Sequence, residues 1–481
     1  MAALNCFFRK GFLFFLSSTL TLFFLAGSGM AQSTLPAPYL VKDINPGSGD
    51  SGPYNFISLG KTLYFSATEQ AGFNLDFELW KSDGTSEGTS LVKDIRATGD
   101  ARVEYLARLN DTTILFSANN GLNGAELWKS DGTPAGTQMV KNINPDTPAI
   151  AGSGLWLLTP FSNRIFFAAY EPVHGQELWV SDGTEEGTSL FWDITGGPTH
   201  SMPKYLTVVD GLLFFAATHR LSYGNELCVT DGVSRKEIIN IAPTDFSSSP
   251  ENLTRVGHRL FFTADDRTHG RELWVSDGTA AGTSLVKDIA PGLKDASPQK
   301  LTEVNGLLFF VTEDDDDIIG LWKSDGTEAG TVLVKDLSPV DGGGIDSIHL
   351  ANVSGTLFFT YGEAGQGIEL WKSDGTPSGT TLVKDIWPGE QGSHPRELTS
   401  LNGKLFFTAV DEKGLELWQS DGTETGTRVY HINPTGGGWP QHLFVNGQTL
   451  YFTADDGVHG YELWALQVPM TIYLPLILRA G

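Results

Sequence analysis

Hydrophobic and polar positions along this chain recur as a block, clearest at residues 272–289, ELWVSDGTAAGTSLVKDI. Its Trp returns at Trp80, Trp128, Trp179, Trp274, Trp322, Trp371, Trp418 and Trp464, with Cys228 in one copy, giving nine anchors 46 to 51 residues apart. A fixed period of this size marks a repeat architecture, in which each unit buries its apolar faces against the next. Upstream of each anchor lies a run such as Leu63-Tyr64-Phe65, Leu260-Phe261-Phe262 or Leu405-Phe406-Phe407. None of these runs sustains a 3.6-residue period, so they predict strands. Asn305-Gly306, Asn402-Gly403 and Asn446-Gly447 precede three of them and predict hairpins, because both residue types tolerate positive φ. The ELW segment, the DGTxxGT loop and the LVKDI segment complete four antiparallel strands per period.

Residues 39–44, YLVKDI, read as a fourth strand that arrives before any complete unit, while residues 441–464 supply three strands and stop before a DGT loop. An early strand that completes the last sheet closes a ring and removes its open edges. The predicted fold is therefore all-β, a single β-propeller of four-stranded antiparallel blades over residues 39–468. Nine blades closed by an N-terminal strand are expected, with eight blades as the alternative. Ahead of the propeller, Arg9, Lys10, the apolar stretch 11–26 and the small residues up to Ala31 predict a signal peptide over 1–31, cleaved near Ala31. Residues 32–38 are a short lead. Residues 469–481 form an apolar tail whose longest run, MTIYLPLIL, contains Pro475 and is too short to span a bilayer.

Charge narrows the partners. The chain carries a net charge of −25, and loss of the leader removes two basic residues and no acidic one, taking it to −27. Such a surface repels nucleic acid and anionic lipid, which excludes nucleic-acid binding and leaves cations, neutral polymers or proteins. The mature chain is expected to be secreted or at the cell surface, monomeric and not integral to a membrane. Cys228 is its one remaining cysteine, so no intrachain disulfide forms; in the slot of a Trp it reads as a small buried hydrophobe.

Asp83, Asp131, Asp182, Asp231, Asp277, Asp325, Asp374 and Asp421 head the DGT loops and read as structural turn formers, since Asp and Thr side chains bond backbone N–H groups across tight loops. A calcium role for them is weaker, because the loop lacks the alternating oxygen ligands of a calcium loop. Gly84-Thr85-Ser86-Glu87-Gly88 matches the G-x-S-x-G nucleophile elbow, yet it lies between strands, and Pro134, Glu185 and Ala280 stand at the place of Ser86 in other copies. Metalloprotease, Walker and CxxC motifs are missing from the sequence.

In a four-stranded meander the DGT loops and first hairpins share one uniform face, and the remaining loops form a variable one. On the variable face the acidic groups concentrate: Asp265, Asp266, Asp314, Asp315, Asp316, Asp317, Asp411, Glu412, Asp455 and Asp456 are the candidate ligand-binding residues. Four adjacent aspartates at Asp314, Asp315, Asp316 and Asp317 suit calcium, a hard cation that prefers oxygen ligands. His174, His269 and His459 read as turn residues. Trp156, Trp192, Trp387 and Trp439 lie outside the repeat slot and are expected mainly to pack, with sugar stacking as the functional option.

The strings ELWKSDGTSEGTSLVKDI, ELWVSDGTAAGTSLVKDI and ELWKSDGTPSGTTLVKDI resemble the bacterial ELWxxDGT repeat proteins over nearly the whole mature chain. That resemblance implies an exported, propeller-like protein and carries no assigned chemistry. The copy ELCVTDGVSRKEII departs from the pattern, and the last copy lacks the DGT loop. The expected function is a binding or scaffold propeller that engages extracellular polysaccharide or protein through the variable face, without catalysis or a required cofactor. The alternative is a propeller enzyme with its site at the ring centre: a polysaccharide lyase, a glycosidase or a quinone-dependent dehydrogenase. Such an enzyme would place unique residues on several inner strands. A glycosidase further needs two facing carboxylates, and dehydrogenase propellers carry a Trp after the Asp-Gly string, where this chain has it before.

Overall fold

The computed structural model describes residues 36–70, 76–145, 152–219, 224–243, 246–314, 318–338, 344–363 and 365–470. The expected signal peptide, residues 32–35 of the lead and residues 471–481 of the tail lie outside them. Nine four-stranded antiparallel sheets form a nine-bladed β-propeller. Strand β1 (Tyr39–Lys42) stands apart in sequence, and β2 (Tyr54–Leu59), β3 (Thr62–Ala67), β4 (Glu78–Ser82) and β5 (Ser90–Lys93) make blade 1, from the axis outward. Blades 2 to 8 repeat this order. Blade 9 has Gln441–Asn446, Thr449–Asp455 and Tyr461–Gln467, and β1 is its outermost strand, with Tyr39 opposite Ala465 and Leu40 opposite Trp464.

The Leu-Phe-Phe runs are the second strands, and they are buried on both faces because each blade is covered by a neighbour on either side. Phe214, Leu227 and Val229 of blade 4 pack against Leu260, Phe262 and Trp274 of blade 5. The same contact closes the ring, where Val41, Ile44, Tyr451 and Leu463 meet Leu63, Phe65 and Trp80. Truncating one such phenylalanine to Ala costs about 3–5 kcal/mol.

The DGT loop satisfies itself. Asp277 Oδ1 accepts the Thr279 N–H and hydroxyl, each at 2.8 Å; Gly282 N–H donates to Thr279 Oγ1 at 2.9 Å; Thr283 Oγ1 donates to Thr279 O at 2.7 Å. A Cβ on Gly282 would lie 2.1 Å from the Asp277 carboxylate, so only glycine fits there. Lysines then tie blades together, as where Lys287 Nζ donates to Thr331 O of the next loop at 3.0 Å. At Asn305-Gly306 both turn residues have positive φ, 53° and 79°, as the dipeptide predicts. At 446–447 the turn sits one residue later: Asn446 pairs with Thr449 as a strand residue, and the loop is Gly447-Gln448.

Cys228 is fully buried opposite Phe215, with its thiol pushed up chiefly by burial. Its small size is matched by a neighbour. Lys335 of blade 6 lies 5.0 Å over the Trp371 ring of blade 7, and the corresponding position in blade 3 is Trp192, edge-on to Phe215 of blade 4 at 5.9 Å. Trp192 thus brings its indole to the side of blade 4 where Cys228 replaces one.

Candidate functional site at the inner wall

The inner strands contact one another around the ring, including blade 1 with blade 9. Six of the segments that lead into them share a small-x-Pro pattern: Ser51-Gly52-Pro53, Ser201-Met202-Pro203, Ser248-Ser249-Pro250, Ala296-Ser297-Pro298, Ser393-His394-Pro395 and Gly438-Trp439-Pro440. The middle residue has positive φ and donates its N–H to the preceding blade, as in Ser297 to Arg271 O and His394 to Ile368 O, both at 3.0 Å. Two residues after the proline, or after Val103 and Leu155 in its place in blades 2 and 3, comes a bulge, where Asn55, Tyr105, Leu157, Tyr205, Asn252, Lys300, Glu397 and His442 all have φ between 54° and 60°. A non-glycine residue held this way costs about 1–3 kcal/mol and persists only where the surroundings dictate it. These eight positions are chemically diverse, in contrast to the uniform DGT loops.

Buried glutamates hold the lead-in segments. The Glu of ELW accepts backbone N–H groups from the following crossing: Glu78 from Ile95 at 2.8 Å and Arg96 at 3.0 Å, Glu126 from Ile143 at 2.9 Å and Asn144 at 3.2 Å. At the closure, Glu462 accepts from Ile44 at 2.9 Å and Asn45 at 3.2 Å, and from Ser51 Oγ at 2.6 Å. Burial raises these carboxyls against the pull of the donors, to about 8 for Glu78 and Glu272 and about 7 for Glu126, Glu226 and Glu462. Gly320 occupies this slot in blade 6.

Blade 7 breaks the wall. Its lead-in, Ser347-Ile348-His349-Leu350, is two residues shorter than Ser393-His394-Pro395-Arg396-Glu397-Leu398 and lacks proline and bulge. A cavity of about 460 Å³ opens there, lined by Lys300 and Thr302 of blade 6, His349 of blade 7, and Glu397 and Thr399 of blade 8. A second, of about 230 Å³, shares His349 and adds Asp346, His394 and Arg396. His349 is anchored by its backbone, whose N–H donates to Thr360 Oγ1 at 2.8 Å. Its imidazole is half-buried; burial first, then the charges of Lys300 and Arg396, lower its pKa, and Glu397 opposes them. The Glu397 carboxylate accepts the Leu443 N–H of blade 9 at 3.1 Å.

The acidic positions expected as ligand-binding residues are distributed over separate blades. Asp266 Oδ1 accepts the Thr268 and His269 N–H groups, and its Oδ2 pairs with His269 Nδ1 at 2.8 Å; Asp456 does the same for Val458 and His459. Asp265 pairs with Arg267 at 3.2 Å, Asp455 accepts the Gly457 N–H, and Asp411 accepts the Lys413 N–H, beside Glu412. Asp314 Oδ1 accepts the Ile318 N–H at 2.9 Å, while Asp315, Asp316 and Asp317 lie outside the described residues. Among the described residues no three His, Cys, Asp or Glu side chains gather as metal ligands. Trp439, in the lead-in to blade 9, is 50% exposed. The inner-wall residues escaped the sequence reading, although the small-x-Pro recurrence and its interruption at 347–350 were visible signals.

No protein-family model matches the chain, and no curated protein matches it. Among solved structures it is similar to a puromycin-hydrolyzing peptidase of Mycobacterium tuberculosis, at 14% identity and TM-score 0.39, covering 79% of this chain and 61% of that one. Oligopeptidase B from Leishmania major matches at 12% identity and TM-score 0.41, covering 76% and 53%. Prolyl oligopeptidase B from Galerina marginata matches at 10% and 0.40, covering 77% and 56%. The chain thus spans little more than half the length of these proteins. They are named as peptidases, not as polysaccharide or scaffold proteins. This finding overturns the expected binding or scaffold function through the variable face, together with its lyase, glycosidase and dehydrogenase alternatives. At such identities and scores the likeness lends no activity to this chain. No helix among the described residues is long and apolar enough to cross a membrane.

Proposed function

We propose that the protein is a rigid ring whose working site is the gap at blade 7, where a small anion bearing a carboxylate or phosphate group is held on the inner wall. The carrying observation is the two-residue shortening at 347–350, which opens a cavity of about 460 Å³ beside Lys300 and His349, adjoining one reached by Arg396. That volume falls within the usual range for small-molecule sites. In a chain of net charge −25, two cations, Lys300 and Arg396, stand around one imidazole and are balanced there by Glu397 and Asp346. Lys300 supplies a point charge, Arg396 a planar fork suited to carboxylate or phosphate, and uncharged His349 one donor and one acceptor. Calorimetry with inorganic phosphate, acetate and succinate tests the reading and separates the two anion types. At least one should bind, more weakly as salt rises, and Lys300→Gln or Arg396→Gln should weaken it at least tenfold. Failure of all three anions at millimolar concentration would sink the proposal.

We further propose that the chain is an exported protein of the ELWxxDGT type. Arg9, Lys10, the apolar stretch 11–26, Ala31 and the eighteen-residue repeat support it. Secreted protein whose N-terminal sequence starts at Gln32 is the expected result; material retaining residues 1–31 would count against export with cleavage.

A further inference from the structure

A cavity of about 790 Å³ lies at the closure seam of the ring, away from blade 7. The crossing that follows β1 forms one wall with Asn45 and Asp50, blade 1 contributes Phe77, and blade 9 contributes Gln441, His442 and Tyr461. Residues from the two sequence-distant ends of the propeller thus enclose one space. Among the described residues that line it, Asp50 is the one charged group apart from the titratable His442, and none is Lys or Arg. Asp50 Oδ1 accepts the Tyr461 N–H at 2.9 Å. Aromatic rings cluster around it: Phe77 meets Tyr54 edge-on at 5.2 Å, and Tyr54 lies 6.4 Å from His442.

Burial raises Tyr461, and Asp455 and Asp50 raise it further; burial takes Tyr54 to about 12, with Asp100 and Glu104 adding to it. Blade 5 provides an internal comparison. Arg271 there holds the position of Tyr461 and gives its N–H to Asp295 Oδ1 at 2.7 Å, the same bond that Tyr461 makes to Asp50. The Arg271 guanidinium pairs with Glu251 at 2.8 Å, whereas the seam has Gln441 in place of that glutamate. Blade 5 therefore carries its own cation at a corner where the seam offers aromatic surface and one carboxylate.

We propose that the seam cavity binds an organic cation, an alkylammonium group held against Phe77 and Tyr461 with Asp50 as counter-ion, and that its occupancy fastens the ring shut. Aromatic faces attract ammonium groups through the ring quadrupole, and a nearby carboxylate selects charge over mere size. A ligand that touches both sides of the seam binds the closed ring and not the open one, so it stabilises closure by mass action.

The decisive experiment is calorimetric titration of the purified protein with choline and with 3,3-dimethyl-1-butanol, its uncharged isostere, paired with thermal unfolding. Choline should bind and raise the unfolding midpoint, and the isostere should bind at least tenfold more weakly. Phe77→Leu should weaken choline at least tenfold, and Asp50→Asn should narrow the gap between the two probes. Lys300→Gln, at the blade 7 gap, should leave choline binding unchanged. Equal affinity for the two probes, or no binding of choline at millimolar concentration, overturns the proposal. The wild-type comparison decides the matter even if a seam variant fails to fold.

Discussion

The DGT face and the inner wall of this ring are built by opposite rules. On the DGT face, Asp277, Thr279, Gly282 and Thr283 exhaust each other's hydrogen bonds within one loop, and the same bonds recur at Asp83, Asp131, Asp182, Asp325, Asp374 and Asp421. Inner-wall residues such as Lys300 are held by backbone bulges and by glutamates beneath them, His349 is held instead by its N–H on Thr360, and both line a cavity. Repetition therefore marks what the ring needs in order to stand, and departure from it marks where ligand chemistry can reside.

The largest expected effect comes from breaking the frame that both regions share. Removing residues 39–44 exposes the edge of blade 9 and strips Val41 and Ile44 from the core, a loss on the order of 3–6 kcal/mol for those two side chains. Denaturant unfolding should show a much lower midpoint; an unchanged midpoint would refute closure by this strand. Next is the exchange between blades 3 and 4. Cys228→Trp alone should overpack its site and cost about 1–3 kcal/mol. Combined with Trp192→Lys, which restores the arrangement of Lys335 over Trp371, part of that cost should return as a favourable coupling in a double-mutant cycle. Strict additivity would disprove the compensation.

A smaller effect separates the wall from the loops by pH. Glu272 holds its proton in the fold up to about 8, against 4.5 as its ordinary value. The folded state therefore binds more protons across that interval, and the stability linked to this group is full below pH about 4.5 and lost as pH rises through about 8. Glu272→Gln, which mimics the protonated form, should flatten the decline in unfolding midpoint between pH 5 and 8. Asp277 is lowered instead, by the Thr279 N–H and hydroxyl, so its contribution is present above the ordinary carboxylate range and fades in acid. Asp277→Ala should cost about 1 kcal/mol at neutral pH and leave anion binding at the blade 7 gap intact; a loss of binding would mean that the two regions are coupled.

The fold was open to reading because its signals are periodic: nine anchors favoured nine blades over eight, and YLVKDI ahead of the first anchor pointed to the closing strand. Chemistry at the wall was hidden for a physical reason. Glu78 and its equivalents look like surface residues by type, and their burial becomes evident only when the crossing folds back to supply donors. Lys300, His349 and Arg396 are about 50 residues apart in sequence, and ring geometry alone brings them together. The acidic loops drew attention by charge density, yet Asp266 and Asp456 turn their carboxylates onto their own backbones.

The pairing of β1 with Tyr461–Gln467 also sets a clock. Some 420 residues separate Tyr39 from its partners. At ordinary synthesis rates of about 5–20 residues per second the first strand waits roughly 20–80 s for them. During that interval a nascent chain holds an unpaired apolar strand and an incomplete ring. A cell that makes this protein needs a way to keep Tyr39–Lys42 from other sheet edges until the last blade has been synthesised.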